Sequence, residues 1–146
     1  MIRSAIVDRA IDVPALVSEV SGSRHGAISI FIGTVRDTND GRDVSAIEYS
    51  AYESMAEIEM QRICTEAARR FDVESIAAEH RVGLLAVGDA SVVICVAHQH
   101  RTAAQDCSRY VIEEMKKRVP IWKLEHYADG TREWVDPTRS QTWVSA

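Results

Sequence analysis

The sequence predicts an α+β fold, and three observations carry that prediction. Runs of β-branched and apolar residues recur at strand length. Two longer stretches space their apolar residues along one helical face. Turn and breaker residues separate these segments. Residues 2–7 read as a short strand. Asp12 is placed to cap a short helix, with Pro14 inside its first turn, running to about Val20. Ser21-Gly22-Ser23 interrupts the pattern. GAISIFIGTVR (26–36) then reads as a well-buried strand ending in a cation. Asp37–Asp43 is a polar loop with turn chemistry. VSAIEYSAY (44–52) alternates as another strand, so 26–52 reads as a long-looped hairpin.

Ser54-Met55-Ala56-Glu57 reads as a capping box that opens a helix. Met60, Ile63, Cys64, Ala67 and Phe71 follow on one face to about residue 71. A strand is expected near 74–83, and Gly83 and Gly88 punctuate a connector. ASVVICVAHQH (90–100) is a strongly β-branched strand. Thr102-Ala103-Ala104-Gln105 reads as a second capping box, with Ala104, Cys107, Val111 and Met115 continuing one helical face to about Arg118. Pro120 forbids further helix, so IWKLEHY (121–127) leaves as a strand. Asp129-Gly130 signals a hairpin turn before TREWV. The organisation expected is one domain over residues 1–137 and a polar tail over 138–146.

Composition excludes several classes. The chain of 146 residues is one domain's worth, and its 46% apolar and 27% charged residues suit an ordinary globular core. No stretch approaches 18 apolar residues, so no membrane partner is expected. Arg3, Asp8 and Arg9 break the first apolar run, which argues against an ordinary signal peptide and points to the cytoplasm. Cys64, Cys95 and Cys107 are odd in number and widely spaced, with neither a disulfide framework nor a zinc pattern. All three read as small core residues rather than nucleophiles. The net charge is −5, but residues 98–123 carry six cations against three carboxylates, a net of +3 that leaves −8 elsewhere. That balance does not suit a nucleic-acid binder. It suits a small anion held by a few cations in one cleft.

Three places bring cations to element ends: Arg36 after a strand, His100 and Arg101 where a strand gives way to a helix, and Lys116 and Lys123 flanking Pro120. If these ends converge, they form a pocket for a phosphate. Each also has a plainer role. Arg36 can be a solvated strand-end charge, and Lys116-Lys117-Arg118 suit a helix C-terminus. His98 and His100 share a strand face, but without a third ligand of evident spacing no metal is expected. His80 and Arg81 read as structural polar groups. Lys123 follows Trp122 in an apolar run, where desolvation can lower a lysine pKa.

The strings GAISIFIGTVRDTNDGRDV, IEYSAYESMA, HRVGLLAVGDASV, HQHR, MKKRVPIWKLE and DGTREWV occur in this order across about residues 26–135. Together they resemble the family of molybdopterin synthase large, catalytic subunits. The resemblance implies an α/β hammerhead fold with an additional antiparallel β subdomain. It implies a homodimer within a heterotetramer, with a small ubiquitin-like sulfur-carrier subunit at each outer end. The carrier's C-terminal Gly-Gly bears a thiocarboxylate. The implied substrate is cyclic pyranopterin monophosphate, which receives two sulfurs to form the dithiolene of molybdopterin. No cofactor is implied for this chain. By position, the family's substrate contacts fall on Thr34, Val35, Arg36, His100, Arg101, Lys116, Lys123, Leu124 and Glu125. Lys123 is implied as the general acid–base group, and Lys116 as the group that orients the thiocarboxylate or stabilises charge. Because the sulfur comes from the partner, no cysteine of this chain is required. Two departures stand out. His98-Gln99 occupy positions where smaller residues are expected, and Thr34 stands where a lysine can occur.

Overall fold

The computed structural model describes residues 1–135. The element order is β1 (Ile2–Val7), α1 (Val13–Val20), β2 (Ala27–Thr34), β3 (Thr38–Asn39), β4 (Arg42–Ala51), α2 (Glu53–Phe71), β5 (Ser75–Arg81), β6 (Gly83–Ala86), β7 (Ala90–His98), α3 (Arg101–Arg118), β8 (Ile121–Tyr127) and β9 (Arg132–Val135). The strands make two sheets. One has the order β1-β5-β7-β2, with β1 parallel to β5 and the other pairs antiparallel. The other runs β3-β4-β8-β9 with β6 also on β4, all antiparallel.

Helices cover both faces of the first sheet. Ile76 and Ala78 of β5 and Val92, Ile94 and Val96 of β7 face α2 and α3, where Met60, Ile63, Cys107 and Val111 complete the main core. The alternate residues Ala77, Val93, Cys95 and Ala97 face α1 through Leu16 and Val20. Period-two strands thus bury both faces, as a sheet between helix layers must. The Asp12 carboxylate accepts the Ala15 N–H at 3.1 Å and Pro14 lies in the first turn, so α1 opens as its sequence predicts. The second sheet has its own small core of Val35, Val44, Ile47, Leu85 and Tyr127.

Four readings are corrected. β2 and β4 do not pair: β2 pairs with β7, and β4 with β8, β6 and β3, so 26–52 spans two sheets. The hairpin within it is the short β3–β4 pair, closed by Asp40 and Gly41. Both adopt positive φ (50° and 75°), which the right-handed twist of a two-residue turn requires. β2 is an edge strand and only half-buried. It exposes Ile28, Ile30 and Ile32 because α1 covers the neighbouring strands rather than β2. The connector after Gly83 contains a strand, β6. Finally, neither capping box forms. α2 starts at Glu53 after Tyr52, α3 starts at Arg101 after His100, and neither N-cap residue makes a side-chain capping bond. At α2 the incoming strand fixes the start: the Pro120 carbonyl accepts the Tyr52 N–H, and the Tyr52 carbonyl accepts that of Ala56. At α3 the His98 ring occupies the preceding turn, its Nδ1 accepting the His100 N–H at 2.9 Å. The predicted tail lies outside the described residues.

Candidate active site

A cleft of about 270 Å³ opens where the two sheets meet. Its floor comes from β2 and β7, where Gly33 lies against Val92. A Cβ on Gly33 would stand 2.7 Å from Val92 Cγ1, so only glycine allows this approach at the strand's bulge. Arg36, Lys116 and Lys123 line the cleft with Thr34, Asn39 and Glu125. A narrow recess of about 30 Å³ adjoins it behind the lysines, walled by Tyr49, His80, Met115, Val119 and Ile121.

The two lysines arrive by different routes. Val119 and Pro120 end α3, so Lys116 stands in the last helical turn and Lys123 two residues into β8. Burial, then repulsion from Lys123, pushes the Lys116 ammonium below the usual lysine pKa. Lys123 instead pairs with Glu125, its Nζ 3.0 Å from Oε1 of a carboxylate only 1% exposed. The other Glu125 oxygen accepts Asn39 Nδ2 at 2.7 Å and the Tyr127 hydroxyl at 2.6 Å. Burial alone would raise the pKa of Glu125. The Tyr127, Lys123 and Asn39 donors outweigh it and hold the carboxyl below its ordinary value.

His80 closes the recess. Its Nδ1 lies 2.9 Å from the Arg81 carbonyl, which can only accept, so this nitrogen carries the proton in the neutral ring. Burial pushes its pKa down to about 4, and Lys116 adds to the effect. Its ring packs edge-on against Tyr49 at 5.2 Å between centroids. Burial raises the Tyr49 phenol. The cleft wall near Lys116 is therefore uncharged at neutral pH. A weakly solvated amine there can take or give a proton, while Arg36 and the Lys123 ammonium can hold an anion.

The described chain gathers Thr34, Arg36, Lys116, Lys123 and Glu125 in one place. Val35 is 3% exposed and packs in the second-sheet core, with its N–H and carbonyl committed to Asp89 and Gly88. Leu124 points to the opposite face of β8 from Lys123 and Glu125. His100 and Arg101 begin α3, fifteen residues from Lys116, or roughly 22 Å along the helix axis. The five cations thus do not converge within one chain; three do. Spacing did not reveal Asn39, Tyr49, Ser91 or Tyr127, nor a place for His80 in the site wall. One cue existed: Lys123, Glu125 and Tyr127 share a strand face by the period of two. The three cysteines are buried and unpaired, with thiols pushed up to about 11 or 12 by burial. Among the described residues, no three His, Cys, Asp or Glu side chains gather to hold a metal, and no helix is long and apolar enough to cross a membrane.

Fold and cleft together define a class: a mixed α/β protein whose two sheets frame a pocket lined by Arg36, Lys116 and Lys123. Within that class the chain belongs to the MoaE protein family, which matches residues 6–118. It is 41% identical over 139 residues to the molybdopterin synthase catalytic subunit of Culex quinquefasciatus, covering 93% of this chain and 88% of that one. It is also 41% identical over 133 residues to the subunit of the same name from Halalkalibacterium halodurans, covering 91% and 85%. Among solved structures, molybdopterin synthase from Staphylococcus aureus superposes with a TM-score of 0.85 at 32% identity, covering 90% of this chain and 95% of that one. The complex of subunits 1 and 2 of molybdopterin-converting factor from Helicobacter pylori shares the fold, with a TM-score of 0.73 at 22% identity and coverage of 90% and 89%.

Proposed function

We propose that this chain is the sulfur-transferring, catalytic member of a two-protein molybdopterin synthase in molybdenum cofactor biosynthesis. The single observation that carries the reading is the cleft. Two lysines of opposite electrostatic setting face one space sized for a small molecule, with Arg36 beside them. The substrate is cyclic pyranopterin monophosphate. The sulfur arrives as the thiocarboxylate on the Gly-Gly terminus of a small ubiquitin-like carrier. Both are anionic, and without cations between them they repel. Arg36 and the Glu125-bound Lys123 hold the phosphate. Lys116 moves the proton or stabilises charge as sulfur adds, so it keeps the charge-stabilising role implied by the resemblance and takes over the acid–base role implied for Lys123. Buried thiols of high pKa suit a reaction whose sulfur comes from outside, and they suit a reducing, cytoplasmic compartment.

In this reading the catalytic domain spans 1–137, the sheet pair is the α/β hammerhead with its antiparallel β subdomain, and the chain is a homodimer within a heterotetramer. The distance between Lys116 and the His100-Arg101 pair supports the dimer, since a second copy can present that pair to the cleft. Purified protein, thiocarboxylated carrier and the cyclic precursor should yield molybdopterin. Carrier binding with no product would make the chain a binding module instead.

A further inference from the structure

We propose that Asn39 and Tyr127 are positioning residues: together they fix the Glu125 carboxylate, which in turn fixes the Lys123 ammonium in the cleft. The inference rests on the reading of the cleft given above and adds two residues to it. Glu125 sits almost fully out of water, and a buried carboxylate persists only where donors satisfy it. Its oxygens divide the task. Oε1 faces the Lys123 ammonium at 3.0 Å, and Oε2 takes the Asn39 amide at 2.7 Å and the Tyr127 hydroxyl at 2.6 Å. The Oε2 bonds hold the carboxylate from behind, so its other oxygen meets the lysine in one orientation.

Each holder is itself held. Tyr127 lies in the second-sheet core, 5% exposed, with the Arg42 guanidinium 3.5 Å over its ring. Its phenol is pushed up to about 12, first by burial and then by Glu125, so it stays a donor. Asn39 is placed by the Asp40–Gly41 turn, in register with Arg42. The turn, the cation over the ring and the carboxylate therefore form one connected polar unit behind Lys123. The charged and titratable groups around Glu125 are Lys123 and Tyr127 on β8, Tyr49 on β4, Glu133 opposite it on β9, and, lining the same cleft, Arg36 after β2 and Lys116 on α3. Of these, Lys123 and Tyr127 stabilise its ionised form, as does the neutral Asn39 amide. Removing either neutral donor leaves burial less opposed, so the carboxyl pKa rises.

The test uses the full chain with its carrier and precursor, comparing wild type with Tyr127→Phe, Asn39→Ala and the double variant. Tyr127→Phe keeps the ring and its packing, so it reports the hydroxyl alone. Each single variant should raise KM for the precursor about tenfold with kcat less affected, because Lys123 holds its phosphate and loss of a hydrogen bond to a charged group is worth about that factor. The unfolding midpoint should fall as well, because the buried Glu125 carboxylate loses a donor. A second readout needs no turnover: in lysine-labelled protein without substrate or carrier, the Lys123 ammonium resonance, slowed in exchange by Glu125, should be visible in wild type and lost in the double variant. A folded double variant with wild-type KM and ammonium signal would overturn the proposal. If wild type makes no molybdopterin, the functional reading fails on its own, and the ammonium signal still decides the anchoring.

Discussion

The helical wall and the strand wall of the cleft each contribute a lysine, and their surroundings differ at every level. Lys116 stands in the last turn of α3 beside Met115, Val119, Ile121 and His80, and among the described residues no carboxylate lies within ion-pair distance of it. Lys123 stands on β8 with Glu125, Asn39 and Tyr127 behind it. Desolvation draws the first toward the neutral amine, while the ion pair with Glu125 holds the second in a fixed place. One amino acid type thus supplies two chemical functions, and the difference comes from the layers behind each side chain.

The largest expected effect is at the helical wall. Lys116→Ala should reduce kcat by about 10²–10⁴, the range for loss of a proton-transfer group, and Lys116→Arg should not restore it, because a guanidinium stays charged. The wild-type rate should rise with pH and level off below the ordinary lysine pKa of 10.5, since burial lowers that of Lys116. Near-normal turnover by the arginine variant would remove the chemical meaning of the contrast. At the strand wall, Lys123→Ala should raise KM for the precursor by about 10–10² while carrier binding persists. It should also cost about 1–3 kcal/mol in denaturant unfolding, because Glu125 loses a donor. An unchanged unfolding midpoint would show that the pair does not anchor the wall.

The recess makes a pH prediction of its own. The folded pKa of His80, about 4, lies below the unfolded value of 6.5, so the unfolded chain binds the extra proton first. Stability should therefore be full above pH 6.5 and fall by up to about 3 kcal/mol as pH drops to 4. His80→Gln should flatten that slope; equal slopes in both proteins would mean that His80 is not held neutral. The smallest effect belongs to the thiols. Replacing Cys64, Cys95 and Cys107 together by Ala should lower stability through the cavities left but leave kcat within twofold, as product assays on the folded variant would show. A large loss of kcat would bring a thiol of this chain into the reaction.

The strands were legible wherever local pattern and global burial agreed. IWKLEHY after Pro120 and ASVVICVAHQH carry both signals, and both became the strands expected. The pairing of 26–52 was not legible, because the alternation in VSAIEYSAY says which face is buried but not which sheet the strand joins. The capping boxes misled because Ser54 and Thr102 already stand at the second position of helices whose starts are set by the preceding strands. In the site, the lysines could be read from charge at element ends. Asn39 could not, since its role depends on a turn that carries a polar residue to a different strand. His100 and Arg101 looked like neighbours of Lys116 only while α3 was a string rather than a rod.

That rod sets a length constraint as well as a chemical one. α3 runs from His98–Arg101 at one end to Lys116 at the other. One residue inserted midway would turn everything beyond it by about 100° and carry it about 1.5 Å outward. Lys116 would swing out of the cleft although every functional side chain remained. An insertion of about seven residues, close to two full turns, would restore its facing, but then the far end would sit about 10 Å further away. Gaps within this helix should therefore be far less tolerated than substitutions on its exposed face.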